Sequence, residues 1–424
     1  MNVRSTRGGD EVPLAVAIAR GQAPDGGLYM PPGLPPHRGA WGDNVLERAQ
    51  TLLAPFFADD ELAAALPEIL RESFTFDAPT RWLDESTGVL ELFHGPTAAF
   101  KDFGARFLAA CLARLTSDTG TGKGRTTVLV ATSGDTGAAV AAAFHRRPQF
   151  RVVVLYPDGR VSRRQAHQLG AFGDNVTTLR VAGTFDDCQS LVKQAFADRE
   201  LNGRHALTSA NSISIGRLLP QMAYYAHAAF ESVGSGHGTP NFVVPTGNLG
   251  NGLACLLAKD CGLPIGRVVL ATNMNRVLPD FLTTGRYVPR TSLATLANAM
   301  DVGAPSNLER LRHRYPDPAS VIAADWVDDA TIRSTVVNTL NTTGQVVCPH
   351  TACGLAVLQR LRARGTAGTW IVAATAHPAK FEEVIEPLIG RSIPLPPALA
   401  QVLSRPSHAT PIAASLPELA AQLE

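Results

Sequence analysis

The sequence predicts an α/β protein built on parallel β-sheet with helices on its faces. Three observations carry this. Short β-branched runs alternate with segments of helical spacing from about residue 101 onward. Two of these runs end in turns of small and hydroxyl-bearing residues, ATSGDTGAAV (131–140) and VVPTGNLGNG (243–252), placed where a strand hands over to a helix. The chain of 424 residues, 45% hydrophobic and 18% charged, is long enough for two or three domains and a sizeable core.

Taken in order, residues 1–90 read as a cap of short helical pieces and turns, 91–235 as one α/β domain and 236–424 as a second with a C-terminal extension. The apolar run 12–19 follows Asp10 and Glu11, contains Pro13 and closes on Arg20, so it reads as a short helix and not as a secretion signal. Residues 23–36 form a turn-dense loop, and 59–72 have helical spacing with Leu62, Leu66 and Leu70 on one side. Helix is expected over 105–115, 137–147, 185–199, 218–233 and 250–258, with Thr184 and Asp187 placed to cap the third of these. Strand is expected over 126–132, 151–156, 176–181, 241–244, 267–272 and 370–375, while 287–325 is less regular.

The formal net charge of +1 and pI near 7.7 leave no electrostatic footprint for nucleic acid or an acidic membrane, and no apolar run approaches a membrane span. Six cysteines are scattered without a C-x-x-C pair or a Cys/His metal spacing, which fits a reduced, cytoplasmic chain without a metal. The glycine-rich stretch 119–127 is a decoy. Gly124 follows Lys123 where a phosphate loop has Ser or Thr, and the stretch precedes a strand instead of following one.

Chemistry concentrates in ELFHGPTAAFKDFG (91–104). Lys101 lies behind the Gly95-Pro96 turn, between Phe100 and Phe103, at the start of a helical segment. Apolar surroundings depress a lysine's pKa and free its amine for condensation with a carbonyl; a surface lysine opening a helix has the same local sequence. In an α/β sheet, ligands bind outside the carboxyl ends of strands. Thr132, Ser133, Asp135 and Thr136 in one turn, and Gly247, Asn248, Leu249, Gly250 and Asn251 in the other, can cradle a carboxylate or a phosphate with backbone amides and hydroxyls. Ordinary helix capping uses the same residue types. SANSISIGRLLPQ (209–221) adds Asn211, Ser212 and Arg217, a fork suited to an oxyanion. AATAHPAKFEE (373–383) ends a strand with Thr375, His377 and Lys380.

Together with NSISIGR, NAMDVGAPSN (298–307) and LYPDGRVS (155–162), these stretches occur in an order that resembles the threonine synthase family over nearly the whole chain. The resemblance implies a fold type II pyridoxal 5'-phosphate enzyme of the tryptophan-synthase-β type, with two open twisted α/β domains and an N-terminal cap. It implies O-phospho-L-homoserine as the small-molecule substrate. Lys101 would bond the cofactor, residues 247–251 would hold its phosphate, Thr375 would face its ring nitrogen, and the SGDTG turn would take the substrate carboxylate. Arg217 is the first candidate for the substrate phosphate, ahead of Lys380, Asn211 and Arg160. Leu249, Cys348 and Ser214 depart from the family pattern, at positions where phenylalanine, an acidic residue and asparagine are expected. A paralogue acting on another phosphorylated amino acid, and a non-catalytic amino-acid-binding protein of the same fold, are the alternatives. Oligomeric state is expected to be monomer or homodimer.

Overall fold

The computed structural model describes residues 1–36, 41–116 and 125–424. Most of the decoy stretch 119–127 therefore lies outside the described residues. Near the N-terminus, β1 (Asn2–Ser5), β2 (Glu11–Pro13) and β3 (Tyr29–Met30) form a small antiparallel sheet in the order β2-β1-β3. The strands β4 (Thr80–Asp84) and β5 (Thr87–Glu91) form a hairpin. The next strands are β6 (Thr126–Ala131), β7 (Phe150–Pro157), β8 (Val176–Ala182) and β9 (Leu207–Ser209). They are followed by β10 (Asn241–Pro245), β11 (Val268–Thr272), β12 (Ala323–Trp326), β13 (Trp370–Ala374) and β14 (Thr410–Ala413).

Two larger sheets organise the molecule. A five-stranded parallel sheet runs β14-β8-β7-β6-β9. A six-stranded sheet runs β12-β11-β10-β13-β5-β4, parallel except for β4 at its edge. Central strands such as β7 (FRVVVLYP) are buried on both faces, which is why they read as continuous apolar runs without alternation.

The sheets cross the chain divisions expected at residues 90 and 235. The hairpin β4-β5 joins the six-stranded sheet through Trp370↔Thr87 to Ala374↔Glu91, and β14 returns from the C-terminus to pair with β8. Other departures have local causes. Helix begins at Leu66 and not at 59, since Pro67 is tolerated only in the first turn of a helix and a chain of turns precedes it. The helix expected over 218–233 is two, Ile215–Leu218 and Gln221–Gly234, because Pro220 cannot supply the backbone N–H that would join them. The run 12–19 is split between β2 and a helix from Leu14 to Arg20. The capping box on helix Phe185–Ala197 forms from Thr184 and Asp187.

The helix Lys101–Thr116 packs against helices Leu66–Ser73, Asp135–Phe144 and Ile215–Leu218. Ala105, Ala109 and Leu112 are buried in it as well as Phe103, Phe107 and Cys111, so its apolar residues wrap most of its circumference. Among the described residues no helix is long and apolar enough to cross a membrane, and no cluster of His, Cys, Asp and Glu could hold a metal ion.

Candidate active site

A cavity of about 910 Å³ is lined by residues just beyond the carboxyl ends of four strands: Thr132 after β6, Asn211 after β9, Thr246 after β10 and Thr375 after β13. Lys101 enters it from the first turn of its helix. That turn is closed by Asp102, whose carboxylate accepts from Thr97 N at 2.8 Å and Thr97 Oγ1 at 2.6 Å. It is pinned to the end of β13 by Phe100 N donating to the Thr375 carbonyl at 2.9 Å. Burial pushes the Lys101 amine down to about 8; Asp135 opposes that, while Lys380 and Arg217 reinforce it. The amine lies 5.1 Å from the centroid of the Phe100 ring and makes no hydrogen bond or ion pair among the described residues.

In the turn after β6, Thr132 Oγ1 accepts from Gly134 N at 3.0 Å and Gly137 N at 2.8 Å, which fixes the curvature. Gly134 has φ +127°, and a Cβ there would stand 2.6 Å from Gln165 Nε2, so the position tolerates no side chain. Ser133 and Thr136 are half-buried and line the cavity. Asp135 also lines it, but its carboxylate is occupied by Lys380 Nζ at 2.6 Å and Gln165 Nε2 at 3.0 Å. Burial would raise the Asp135 pKa, yet Lys380 and Lys101 overcome it and hold the carboxyl well below the usual range. A fixed anion repels a carboxylate ligand, so the anion-binding capacity of this turn rests on Ser133, Thr136 and the backbone.

The loop after β10 leads into helix Gly250–Asp260 through Leu249, which adopts φ +66° without being glycine. Such a conformation costs on the order of 1 kcal/mol and persists only where the surroundings impose it. Here the Leu249 side chain is buried in the core, and Asn307 Nδ2 holds the Asn248 carbonyl at 3.0 Å. The Asn248 side chain is itself a clip, donating to Ser212 Oγ and accepting from Ser306 N. Asn251 is different. Its Oδ1 accepts from Tyr224 OH at 2.6 Å and Tyr225 OH at 2.9 Å, which leaves its buried Nδ2 without a partner at the cavity wall. Thr246 Oγ1 is also buried and unpartnered there.

Arg217 is 3% exposed and lines the cavity. Its Nη1 donates to the Ala210 carbonyl at 2.6 Å, and its Nε has no partner. Burial lowers its pKa to about 10, so the guanidinium stays charged at neutral pH. Gly104 makes room for it: a Cβ at that position would lie 2.8 Å from the Arg217 carbonyl. Asn211 lines the same wall with an unpartnered Oδ1.

Two weaker candidates for a phosphate leave the site. Lys380 is fully buried, with Nζ committed to Asp135 and to the Thr97 carbonyl at 2.9 Å, and it does not line the cavity. Arg160 is exposed in the turn after β7. Conversely, sequence reasoning gave no role to His350, which lines the cavity and accepts from Ala299 N through Nε2 at 3.1 Å. Burial lowers its pKa to about 4, Asp135 opposing, so the imidazole is neutral. Its place two residues after Cys348 was visible, but the wall it supports is built by a loop from a distant part of the chain.

Residues 88–375 match the family model described as pyridoxal-phosphate dependent enzyme. With two α/β sheets meeting at a half-buried lysine whose amine is unpaired, this defines the class: a fold type II enzyme whose cofactor is pyridoxal 5'-phosphate. Residues 351–422 match a second model, threonine synthase, C-terminal. A threonine synthase of Serratia marcescens is 40% identical over 418 residues, covering 97% of this chain and 96% of its own. The crystal structure of threonine synthase from Escherichia coli superposes with a TM-score of 0.89 at 38% identity, covering 100% of this chain and 99% of that one. A pyridoxal-phosphate-bound threonine synthase from Brucella melitensis gives 0.90 at 33% identity, covering 100% and 98%. The chain belongs to the threonine synthase family of pyridoxal-phosphate-dependent lyases.

The residues at the cavity suit that cofactor. Asn251 Nδ2, Thr246 Oγ1 and the first amides of helix Gly250–Asp260 are donors without protein partners, which is what a phosphate dianion requires. The free amine of Lys101 suits an aldehyde.

Proposed function

We propose that the chain converts O-phospho-L-homoserine and water to L-threonine and phosphate, with Lys101 as the lysine that bonds the cofactor and later moves protons. The observation that carries this reading is the amine of Lys101, half-buried, unpaired and lowered to about 8, between two anion-accepting turns in one cavity. The cofactor, when bound, supplies an electron sink that acidifies the substrate's Cα–H and Cβ–H. Lys101 would bond it, the loop Gly247, Asn248, Leu249, Gly250 and Asn251 would hold its phosphate with backbone amides and Asn251 Nδ2, and Thr375 would meet its ring nitrogen.

The chain's own residues then have separate tasks. Ser133 and Thr136, on the turn that Thr132 fixes, bind the substrate carboxylate and so orient its Cα–H. Arg217 and Asn211 bind the substrate phosphate. Lys101 takes the Cα proton. Loss of a Cβ proton expels phosphate from Cγ, a proton returns to Cγ, water adds at Cβ, and Lys101 returns a proton to Cα. Atoms balance: one water enters and one phosphate leaves. A hydroxyl from Thr375 at the ring nitrogen, where a carboxylate would enforce protonation, moderates the electron sink and limits side reactions.

In this reading the residues ahead of the β4-β5 hairpin cap two α/β domains, and the enzyme works in the cytoplasm as a monomer or homodimer. Six free, buried cysteines support a reducing compartment. The decisive experiment incubates the purified chain with pyridoxal 5'-phosphate and O-phospho-L-homoserine, measures phosphate release and identifies the amino acid formed. Threonine in equal amount to phosphate, lost in Lys101→Ala, supports the reading. Another product moves the substrate to a different phosphorylated amino acid, and no cofactor absorption band overturns the assignment of Lys101.

A further inference from the structure

The ion pair between Lys380 and Asp135 is fully buried and borders the cavity without presenting a free charge to it. Buried pairs are costly to desolvate and contribute little net stability, so a pair kept beside a reactive amine calls for another account. Its connections supply one. Asp135 sits in the turn after β6 and also accepts from Gln165, in the first turn of the helix Arg163–Gly170. Lys380 sits in the short turn Pro378–Phe381 and donates to the carbonyl of Thr97. Thr97 in turn donates its N–H and hydroxyl to Asp102, next to Lys101. One ammonium therefore links the substrate-carboxylate turn to the turn that aims Lys101.

The charges around the reactive amine make the same point. Lys101 is faced by Asp135 from helix Asp135–Phe144, by Lys380 from the turn after β13, and by Arg217 from helix Ile215–Leu218. His350, from helix Pro349–Ala363, also faces Asp135 and Lys101 and is neutral. Asp102, the neighbour of Lys101, points its carboxylate into Thr97. Asp135 is thus the anion that would hold the Lys101 amine protonated, and Lys380 is the cation that occupies it.

We propose that Lys380 is a positioning residue for the reaction: it claims the Asp135 carboxylate and grips the Thr97 carbonyl, which keeps the Lys101 amine free and aimed into the cavity. This deepens the reading in which Lys101 is the cofactor lysine and rests on it. Both single neutralisations leave one buried charge unpaired, but they act on Lys101 in opposite senses. Lys380→Met frees Asp135 to stabilise the protonated amine. Asp135→Asn removes the one anion that faces the amine among the described residues and leaves Lys380 to repel it. The double variant removes both charges together.

The test measures how fast the full chain captures pyridoxal 5'-phosphate as pH is raised from about 6 to about 10, read from the growth of the cofactor absorption band, because only a neutral amine reacts. The midpoint is expected to rise by about one unit in Lys380→Met and to fall by about one unit in Asp135→Asn, each a tenfold change in the neutral fraction. It is expected to lie near the unaltered chain in Asp135→Asn/Lys380→Met. A purely structural pair would slow capture in both single variants and shift neither midpoint, or shift both the same way, and either result overturns the proposal. Where Lys380→Met does not fold, the double variant is compared with Asp135→Asn: a higher midpoint in the double supports the proposal, and equal midpoints overturn it. Lys101→Ala in the same assay separates the two ideas, since unchanged capture in that variant removes the lysine assignment itself.

Discussion

Arg310 donates from Nη1 to Asn307 Oδ1 at 2.7 Å, and through that contact a fully buried guanidinium sets the loop expected to hold the cofactor phosphate. Asn307 passes the constraint on, since its Nδ2 donates to the carbonyls of Asn248 at 3.0 Å and Ser212 at 3.3 Å. The other arms of Arg310 hold the carbonyls of Tyr29 at 3.1 Å and Ile213 at 2.6 Å. One side chain therefore ties together the N-terminal sheet, the stretch before Arg217 and the loop with the strained Leu249. Burial lowers its pKa to about 9, Glu309 opposing, and it remains charged at neutral pH.

Replacing Arg310 by Met should weaken cofactor binding ~10- to 100-fold, by analogy with the loss of an outer residue that orients a ligand set. An absorbance titration with pyridoxal 5'-phosphate measures it. Pyridoxal, which lacks the phosphate, serves as control. If Arg310 acts through the phosphate loop, the variant loses its preference for the phosphorylated form; an equal loss for both forms would mean that the cavity as a whole has collapsed.

The pattern of what the sequence revealed follows from what is local. The turns at 132–137 and 246–251, the helix opening on Lys101 and the cap from Thr184 and Asp187 all depend on residues within a few positions of one another, and each was legible. The pairing of β5 with β13 joins residues 87–91 to 370–374, and that of β14 with β8 joins 410–413 to 179–182; no local pattern specifies such partners. The burial of charges is non-local for the same reason. In AHPAKF Lys380 reads as a candidate for the substrate phosphate, in LERLRHR Arg310 carries no signal of its own, and only the tertiary fold supplies the oxygens that bury them. Pro67 and Pro220 are local signals of the opposite kind, since one delays the start of a helix and the other divides one.

The pH behaviour of Lys101 gives a second prediction. With a pKa lowered from 10.5 to about 8, the amine should be about half neutral near pH 8, where an ordinary lysine is neutral in roughly one case in several hundred. In the cofactor-free chain, limited acetylation at that pH should label Lys101 well ahead of exposed lysines such as Lys193, as read by peptide mass spectrometry. Raising the pH toward 10.5 should erase the advantage. Labelling of Lys101 that merely follows exposed lysines at every pH would show that burial does not tune it.

Acid should destabilise the fold through histidines buried in the neutral state. Burial lowers His350 and His377 to about 4 and also lowers His227, whose Nδ1 accepts from Arg48 Nη1 at 2.8 Å. Each has a folded pKa below its unfolded value of 6.5. The unfolded chain therefore binds more protons as pH falls, so the stability contribution is present above 6.5 and is lost as pH falls through 4. Tm should drop steeply across that window. His227 lies away from the cavity, so His227→Gln, which keeps an acceptor for Arg48, should flatten part of the slope without altering cofactor binding. An unchanged slope would assign the acid sensitivity to other groups.

Arg217 supplies the last prediction. Its Nη1 is spent on the Ala210 carbonyl, so the group left to bind a ligand is the Nε edge, which is buried, charged and without a protein partner. A charged donor in that state gains most from an oxyanion that arrives with the substrate, and the gain belongs to binding before chemistry. Arg217→Ala should therefore raise KM for O-phospho-L-homoserine ~100-fold or more, on the scale of about 3 kcal/mol for a charged hydrogen bond, while cofactor affinity changes little. Lysine at this position should recover only part of the loss, because an ammonium cannot hold Ala210 and the ligand with a planar fork. Steady-state kinetics with parallel cofactor titrations measure both quantities. A fall in kcat at unchanged KM would place Arg217 at the transition state instead, and a loss of cofactor binding would make it a support for the wall it shares with Gly104.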